Sequence, residues 1–256
     1  MMILLLRLAP MLAGFAIYAL FEWQWTHPLF FPWPLLGAMA AYLVIAARLV
    51  AVRKDRWDMM WKAIPGLLLL GSATVCSLLF EEIFWQHGLS LFVAIATYLS
   101  LELLFLLAYD PARYPVHGLT YLDVGIVPLT NALLVWGMVG VRTFQKLMLP
   151  FWMPMIVLMV VNAIGFIATS HPDATREQRR AWAMFGGAIG AALGVLILFL
   201  PLTMPAQAFL AALLVAAPLR LRRYGFSPYP PRAMAWFEGG VFLLLFIGLL
   251  LLSPWA

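Results

Sequence analysis

The feature that most limits how this chain can fold is a succession of apolar stretches, each close to twenty residues long and separated by only a few polar residues. A helix rises about 1.5 Å per residue, so roughly 20 apolar residues are needed to cross the hydrocarbon core of a bilayer. Spans are expected near 3–22, 33–52, 63–85, 89–109, 119–141, 147–169, 181–200, 203–219 and 233–252. The eighth is short and bounded by Pro205 and Pro218, which leaves eight full spans with one re-entrant segment as a variant. The expected fold is therefore an all-α integral membrane bundle of about nine helices. It forms a single transmembrane domain over residues 1–256, with no soluble domain.

Composition supports this reading. Of 256 residues, 65% are hydrophobic and 11% charged, whereas a soluble domain has roughly 45–50% apolar and about 25% charged residues. Polar stretches such as 171–180 and 219–232 are too short to build a core of their own. Arg7 interrupts the first apolar run, which continues to Phe21 without a small-residue cleavage site, so it reads as a retained span. The single cysteine, Cys76, excludes an intrachain disulfide.

Basic residues orient the layout. With the N-terminus cytoplasmic, Arg7, Arg48, Arg53, Lys54, Arg56, Lys62, Arg113, Arg176, Arg179, Arg180, Arg220, Arg222, Arg223 and Arg232 all fall at inner ends. Only Arg142 and Lys146 fall outside. The net charge of +5 is thus topological and does not point to nucleic acid. The C-terminus is expected outside, and the location is the cell (inner) membrane. Trp23, Trp25, Trp33, Trp85 and Trp255 mark outer ends, and Trp57, Trp61, Trp182 and Trp236 mark inner ones.

Polar residues inside the spans are the candidates for chemistry, because charge in a bilayer is costly. An inner layer holds Glu102, Asp123 and Asn162, with Tyr98 on the face of Glu102 and Asn131 beside the face of Asp123. It reads either as a polar cavity or as a structural hydrogen-bond cluster. An outer layer holds Glu22, Gln24, His27, Glu81, Glu82, Gln86 and His87. Thr74, Ser77 and Glu81 follow at i, i+3 and i+7 and would form a stripe on the third helix. Counted along the spans, the two layers are roughly 17 Å apart, so no single catalytic centre can use both. The seventh span carries Gly186, Gly190 and Gly194 at four-residue spacing, a helix-packing signal.

The segment Glu81-Glu82-Ile83-Phe84-Trp85-Gln86 resembles the Glu-Glu motif of glutamic-type intramembrane proteases and the related CAAX-processing, bacteriocin-immunity family. Pro115-Val116-His117-Gly118-Leu119-Thr120-Tyr121 is faintly similar to a second stretch in some of those proteases. The resemblance implies a membrane-embedded hydrolase with Glu81 and Glu82 as its carboxylates. The chain departs from that pattern in having Gln86 near the place of a basic residue and in lacking the later intramembrane histidines. No phosphate-binding glycine loop, paired-cysteine metal site or His-Glu-x-x-His run is present, so neither a metal nor a cofactor is expected. The leading expectation is a non-enzymatic, transporter-like bundle or an accessory subunit of a membrane assembly. Its partners would be membrane lipids and, for a subunit, other membrane chains.

Overall fold

The computed structural model describes residues 2–52, 56–115, 118–144, 150, 152–170, 174–225 and 232–253. Several residues used above lie outside that set: Arg53, Lys54, Lys146, Trp255, and Val116 and His117 of the second protease-like stretch. The described residues form α1 (Met2–Thr26), a 3-10 turn (Pro28–Phe30), α2 (Trp33–Val50), α3 (Arg56–Ser77), α4 (Ile83–Tyr109), α5 (Gly118–Phe144), α6 (Trp152–Ala168), α7 (Arg176–Phe199), α8 (Met204–Gly225) and α9 (Arg232–Leu252). Eight of these are long and apolar enough to cross a membrane. The chain is a polytopic helical bundle.

The shorter apolar helix is α6, with 17 residues, or about 25 Å of rise. The segment expected to be the weakest, α8, has full length. Pro205 sits at its second position, where a helix has no intrahelical use for the missing N–H. Gln207 Nε2 donates to the Leu200 and Leu202 carbonyls just before the helix, at 2.8 and 3.1 Å, so those two carbonyls of the entry turn are satisfied.

The third and fourth spans need correction. The helix expected over 63–85 runs instead from Arg56 to Ser77, and the next begins at Ile83. The Ser72, Thr74 and Ser77 hydroxyls donate to the Leu69, Leu70 and Thr74 carbonyls of their own helix. Such back-bonding weakens helical continuation. The chain then tightens, with Leu78 and Leu79 N–H groups bonding the carbonyls three residues back. Glu82 becomes the residue flanking the N-terminus of α4, where acidic side chains are favoured by the helix dipole. The expected Thr74–Ser77–Glu81 stripe therefore does not exist as one helical face.

Two compact units are present, residues 1–126 and 127–256, with the division falling inside α5. In the first, α4 packs against α1, α2 and α3, and α2 also contacts α1 and α3. Tyr42, Leu69, Leu70, Leu101 and Leu104 are fully buried there. Trp25 at the end of α1 donates to Ser90 Oγ of α4 at 2.9 Å, so this tryptophan ties two helices together. Trp23, Trp33, Trp57, Trp61 and Trp85 are exposed, as interfacial anchors are.

In the second unit the closest pair is α6 and α7, and α8 packs on α7 and α9. Gly186, Gly190 and Gly194 all face α6. A methyl group on Gly186 would lie 2.6 Å from Phe166 Cγ, one on Gly190 would strike the Leu158 carbonyl, and one on Gly194 would strike Met155 Cα. The missing side chains let the two backbones touch, which gains dispersion contact in a solvent that offers no hydrophobic drive. Leu202, just before α8, and Ala206 and Leu210 of α8 form a small core with Phe246, Leu249 and Leu250 of α9. No residue of α9 is buried.

Candidate functional site

In the first unit, one buried polar cluster stands out, and Asp123 is its centre. Asp123 lies five residues into α5 and is 1% exposed. Lys62, six residues into α3 and half-buried, is close enough for its charge to act on the Asp123 carboxylate. Both residues enter from the helix ends that carry basic groups, at depths of about 7–9 Å. Tyr42 of α2 is also 1% exposed and senses the Asp123 charge. Its phenol donates to the Ala63 carbonyl of α3 at 2.8 Å, and the Ser100 hydroxyl of α4 lies against it. Four helices thus contribute to one polar patch within the apolar core. Asp123 Oδ2 is buried and has no hydrogen-bond donor among the described residues.

Gly66 makes room for the arrangement. A side chain there would overlap the Tyr42 hydroxyl and come within 2.8 Å of Tyr42 Cζ. Tyr114, in the link between α4 and α5, completes the rim, and its oxygen accepts the Leu119 N–H at 2.9 Å. Burial raises the Tyr114 phenol above its usual value. The charge of Asp123 adds to this and the Leu119 bond partly offsets it.

The other expected inner residues are placed differently. Glu102 is half-buried on α4, off the face that holds Val93, Thr97, Ser100, Leu101 and Leu104. It has no hydrogen-bond or ion-pair partner among the described residues. Tyr98 is exposed and lines an apolar groove with Met11, Gly14, Phe15 and Leu91 of α1 and α4. Asn131 and Asn162 belong to the second unit. Both are fully buried, and Asn162 Nδ2 donates to Asn131 Oδ1 at 2.7 Å and to the Leu158 carbonyl at 2.9 Å.

Of the outer residues, Glu22 and His87 come together, with His87 Nδ1 2.7 Å from Glu22 Oε2. His27 bonds Thr26 and the Trp23 carbonyl. Gln86 donates to the Phe80 carbonyl at 2.8 Å. Glu81 and Glu82 are exposed in the α3–α4 link, and among the described residues no histidine bonds either one. Among the described residues, no three His, Cys, Asp or Glu side chains converge in a way that could hold a metal ion.

The chain matches no family model, no curated protein and no solved structure. The likeness of the Glu-Glu segment to the intramembrane proteases therefore rests on that motif alone.

Sequence reading missed Tyr42, Ser100 and Tyr114 as neighbours of Asp123, and treated Lys62 as a loop anchor. Lys62 had a detectable signal. It lies six residues after Arg56 with only Asp58 as another charge between them, so a span begun at Arg56 would have carried it inward. Tyr42 and Ser100 had none, because a tyrosine or serine in an apolar run is common to many helices.

Proposed function

We propose that this chain is a non-enzymatic, transporter-like multi-pass protein of the cell inner membrane, with Asp123 at the centre of an inner site facing the cytoplasm. The observation that carries this reading is the Asp123 carboxylate: buried, beside Lys62 and Tyr42, and holding an oxygen with no donor among the described residues. Ionisable groups in membrane spans are expensive, and they mark ion or proton pathways more often than inert packing positions. A carboxylate with spare acceptor capacity can take up a proton or a cation and release it again, with Lys62 as the competing charge. The hydrolase alternative has less support, since Glu81 and Glu82 are exposed and no histidine among the described residues bonds them.

The test is thiol accessibility in membranes. In a Cys76→Ala background, cysteines placed singly at Asp123, Ser100 and Gly190 meet a small membrane-impermeant reagent from each side. Labelling at positions 123 and 100 from the cytoplasm, with 190 silent, is expected for a wet inner site. If positions 123 and 100 resist from both sides, the cluster is structural and the transporter reading fails. The remaining reading would be an accessory subunit of a larger membrane assembly. It is favoured by α9, a largely apolar helix that packs on α8 but has no residue fully buried within the chain.

A further inference from the structure

In the first unit, Glu22 near the end of α1 pairs with His87 near the start of α4 at 2.7 Å. One turn back along α1 from Glu22 stands Tyr18, and one turn on along α4 from His87 stands Leu91. Both line an apolar groove of about 480 Å³ between the two helices, together with Met11, Phe15, Ile95 and Tyr98. Residues four apart share a helix face, so the Glu22–His87 pair stands at the mouth of the groove. We propose that groove and mouth together bind a phospholipid with a primary-amine head, of the phosphatidylethanolamine class. Its acyl chain would lie in the groove and its ammonium against Glu22.

The groove is built for a chain. Gly14 lies at its base, where a methyl group would sit 3.1 Å from Tyr98 Cβ and 3.3 Å from the Ala94 carbonyl. The two helices therefore approach closely there, and the larger side chains on either side form the walls. Met11, Phe15, Leu91 and Ile95 are exposed, so the groove opens to the lipid around the bundle. From Met11 to Tyr18 it follows α1 for about 10 Å, and its volume falls within the roughly 300–1,000 Å³ of ligand sites. A slot of this form rewards an apolar tail by contact along its length. A small soluble amine would leave it empty.

Charge and hydrogen bonding select the head. His87 engages Glu22 Oε2, while Glu22 Oε1 is buried and has no hydrogen-bond partner among the described residues. A buried polar atom without a partner is uncommon and marks a missing donor. The Glu22 side chain is 22% exposed, which leaves it reachable from the mouth. Glu81 and Glu82 stand in the link that leads into α4. Every described Lys and Arg of the first unit lies at the opposite helix ends or in the α4–α5 link. This end of the unit therefore repels an anionic head and attracts a cationic one. A primary ammonium carries three N–H donors, as a lysine does, and bonds a carboxylate with charge assistance. Choline carries the same charge and no N–H. Trp23 beside Glu22 and Trp85 beside His87 are exposed, and such tryptophans mark the depth of the head groups.

The experiment places the purified full chain in nanodiscs of phosphatidylethanolamine and phosphatidylcholine with matched acyl chains. Native mass spectrometry then counts the lipid that stays bound on release. Phosphatidylethanolamine is expected to be retained over phosphatidylcholine by at least about tenfold, the scale of one charged hydrogen bond. Glu22→Gln keeps the shape of the side chain, loses its charge and is expected to erase the preference. Ile95→Trp fills the groove and leaves Glu22 and His87 in place. It is expected to expel the lipid, and it keeps the test decisive if Glu22→Gln fails to fold. Equal retention of the two lipids, a preference that survives Glu22→Gln, or full retention in Ile95→Trp overturns the proposal. A lipid-free dimer that Ile95→Trp dissociates also overturns it, because a second copy would then fill the groove.

Discussion

At the scale of single residues, Gly66 matters because of what it leaves out. Its missing side chain seats the Tyr42 ring, which in turn faces Ser100 and Asp123. Gly66→Ala is expected to push Tyr42 aside and to cost about 1–3 kcal/mol, the usual range for overpacking a filled core. Thermal unfolding in detergent would register the loss. Tyr114 gives a second residue-scale expectation, about alkaline stability. Its phenol is raised in the folded chain, so the folded form holds the proton more tightly than the unfolded form does. The stabilisation it contributes is present below the unfolded value of about 10 and is lost as pH rises through the folded value. A stability profile above pH 9 should therefore fall less steeply in Tyr114→Phe than in the parent. Equal slopes would remove Tyr114 from the alkaline transition.

At the scale of elements, the α6–α7 pair is bound by shape, and its glycines are not equivalent. A methyl on Gly190 meets the Leu158 backbone, which cannot yield without moving α6. A methyl on Gly187 meets Met159 Cγ at 3.5 Å, an ordinary contact. Gly190→Ala is expected to destabilise the second unit by about 1–3 kcal/mol or more. Gly187→Ala should stay near neutral and serves as its control. Comparable unfolding midpoints for the two variants would mean that the close approach is not what holds these helices. The Asn131–Asn162 bond joins α5 to α6 in the same unit, and interhelical hydrogen bonds in membranes contribute about 0.6 kcal/mol on average. Packing of the glycine face therefore outweighs it.

The α3–α4 link belongs to the same scale and shows where periodicity misleads. Thr74, Ser77 and Glu81 have helical spacing, yet the helix has ended before Glu81. Hydropathy alone cannot detect this break, since Leu78, Leu79 and Phe80 are as apolar as the helix they leave. The break moves Glu81 and Glu82 to an exposed turn. Replacing both by glutamine is expected to cost no more than about 0.3–1 kcal/mol, the scale of the Glu82 charge at the start of α4, because among the described residues neither carboxylate is hydrogen-bonded or ion-paired. A large drop would indicate a bonded role for the pair.

At the scale of the whole molecule, the alternation of basic and non-basic helix ends makes a topological prediction. A cysteine in the α3–α4 link at Phe80 and one in the α4–α5 link at Ala112 should label from opposite faces of the membrane, the second from the cytoplasm. Labelling from the same face would break the count of crossings.

The sequence by itself determined that the chain is a helical membrane protein, roughly where each crossing lies, and that the seventh span has a face of small residues. Those properties follow from transfer free energy and side-chain size, which each residue carries wherever it is placed. It also singled out Asp123, because charge in an apolar run is visible without a fold. Only the tertiary structure decided which groups Asp123 meets. Glu102 and Asp123 are both acids in neighbouring spans, yet helix rotation turns Ser100, and not Glu102, toward the Asp123 cluster. Rotation about a helix axis depends on how neighbouring surfaces fit, and in lipid every face of such a helix is nearly equally apolar. The linear pattern therefore holds little of that information, and side-chain packing supplies it.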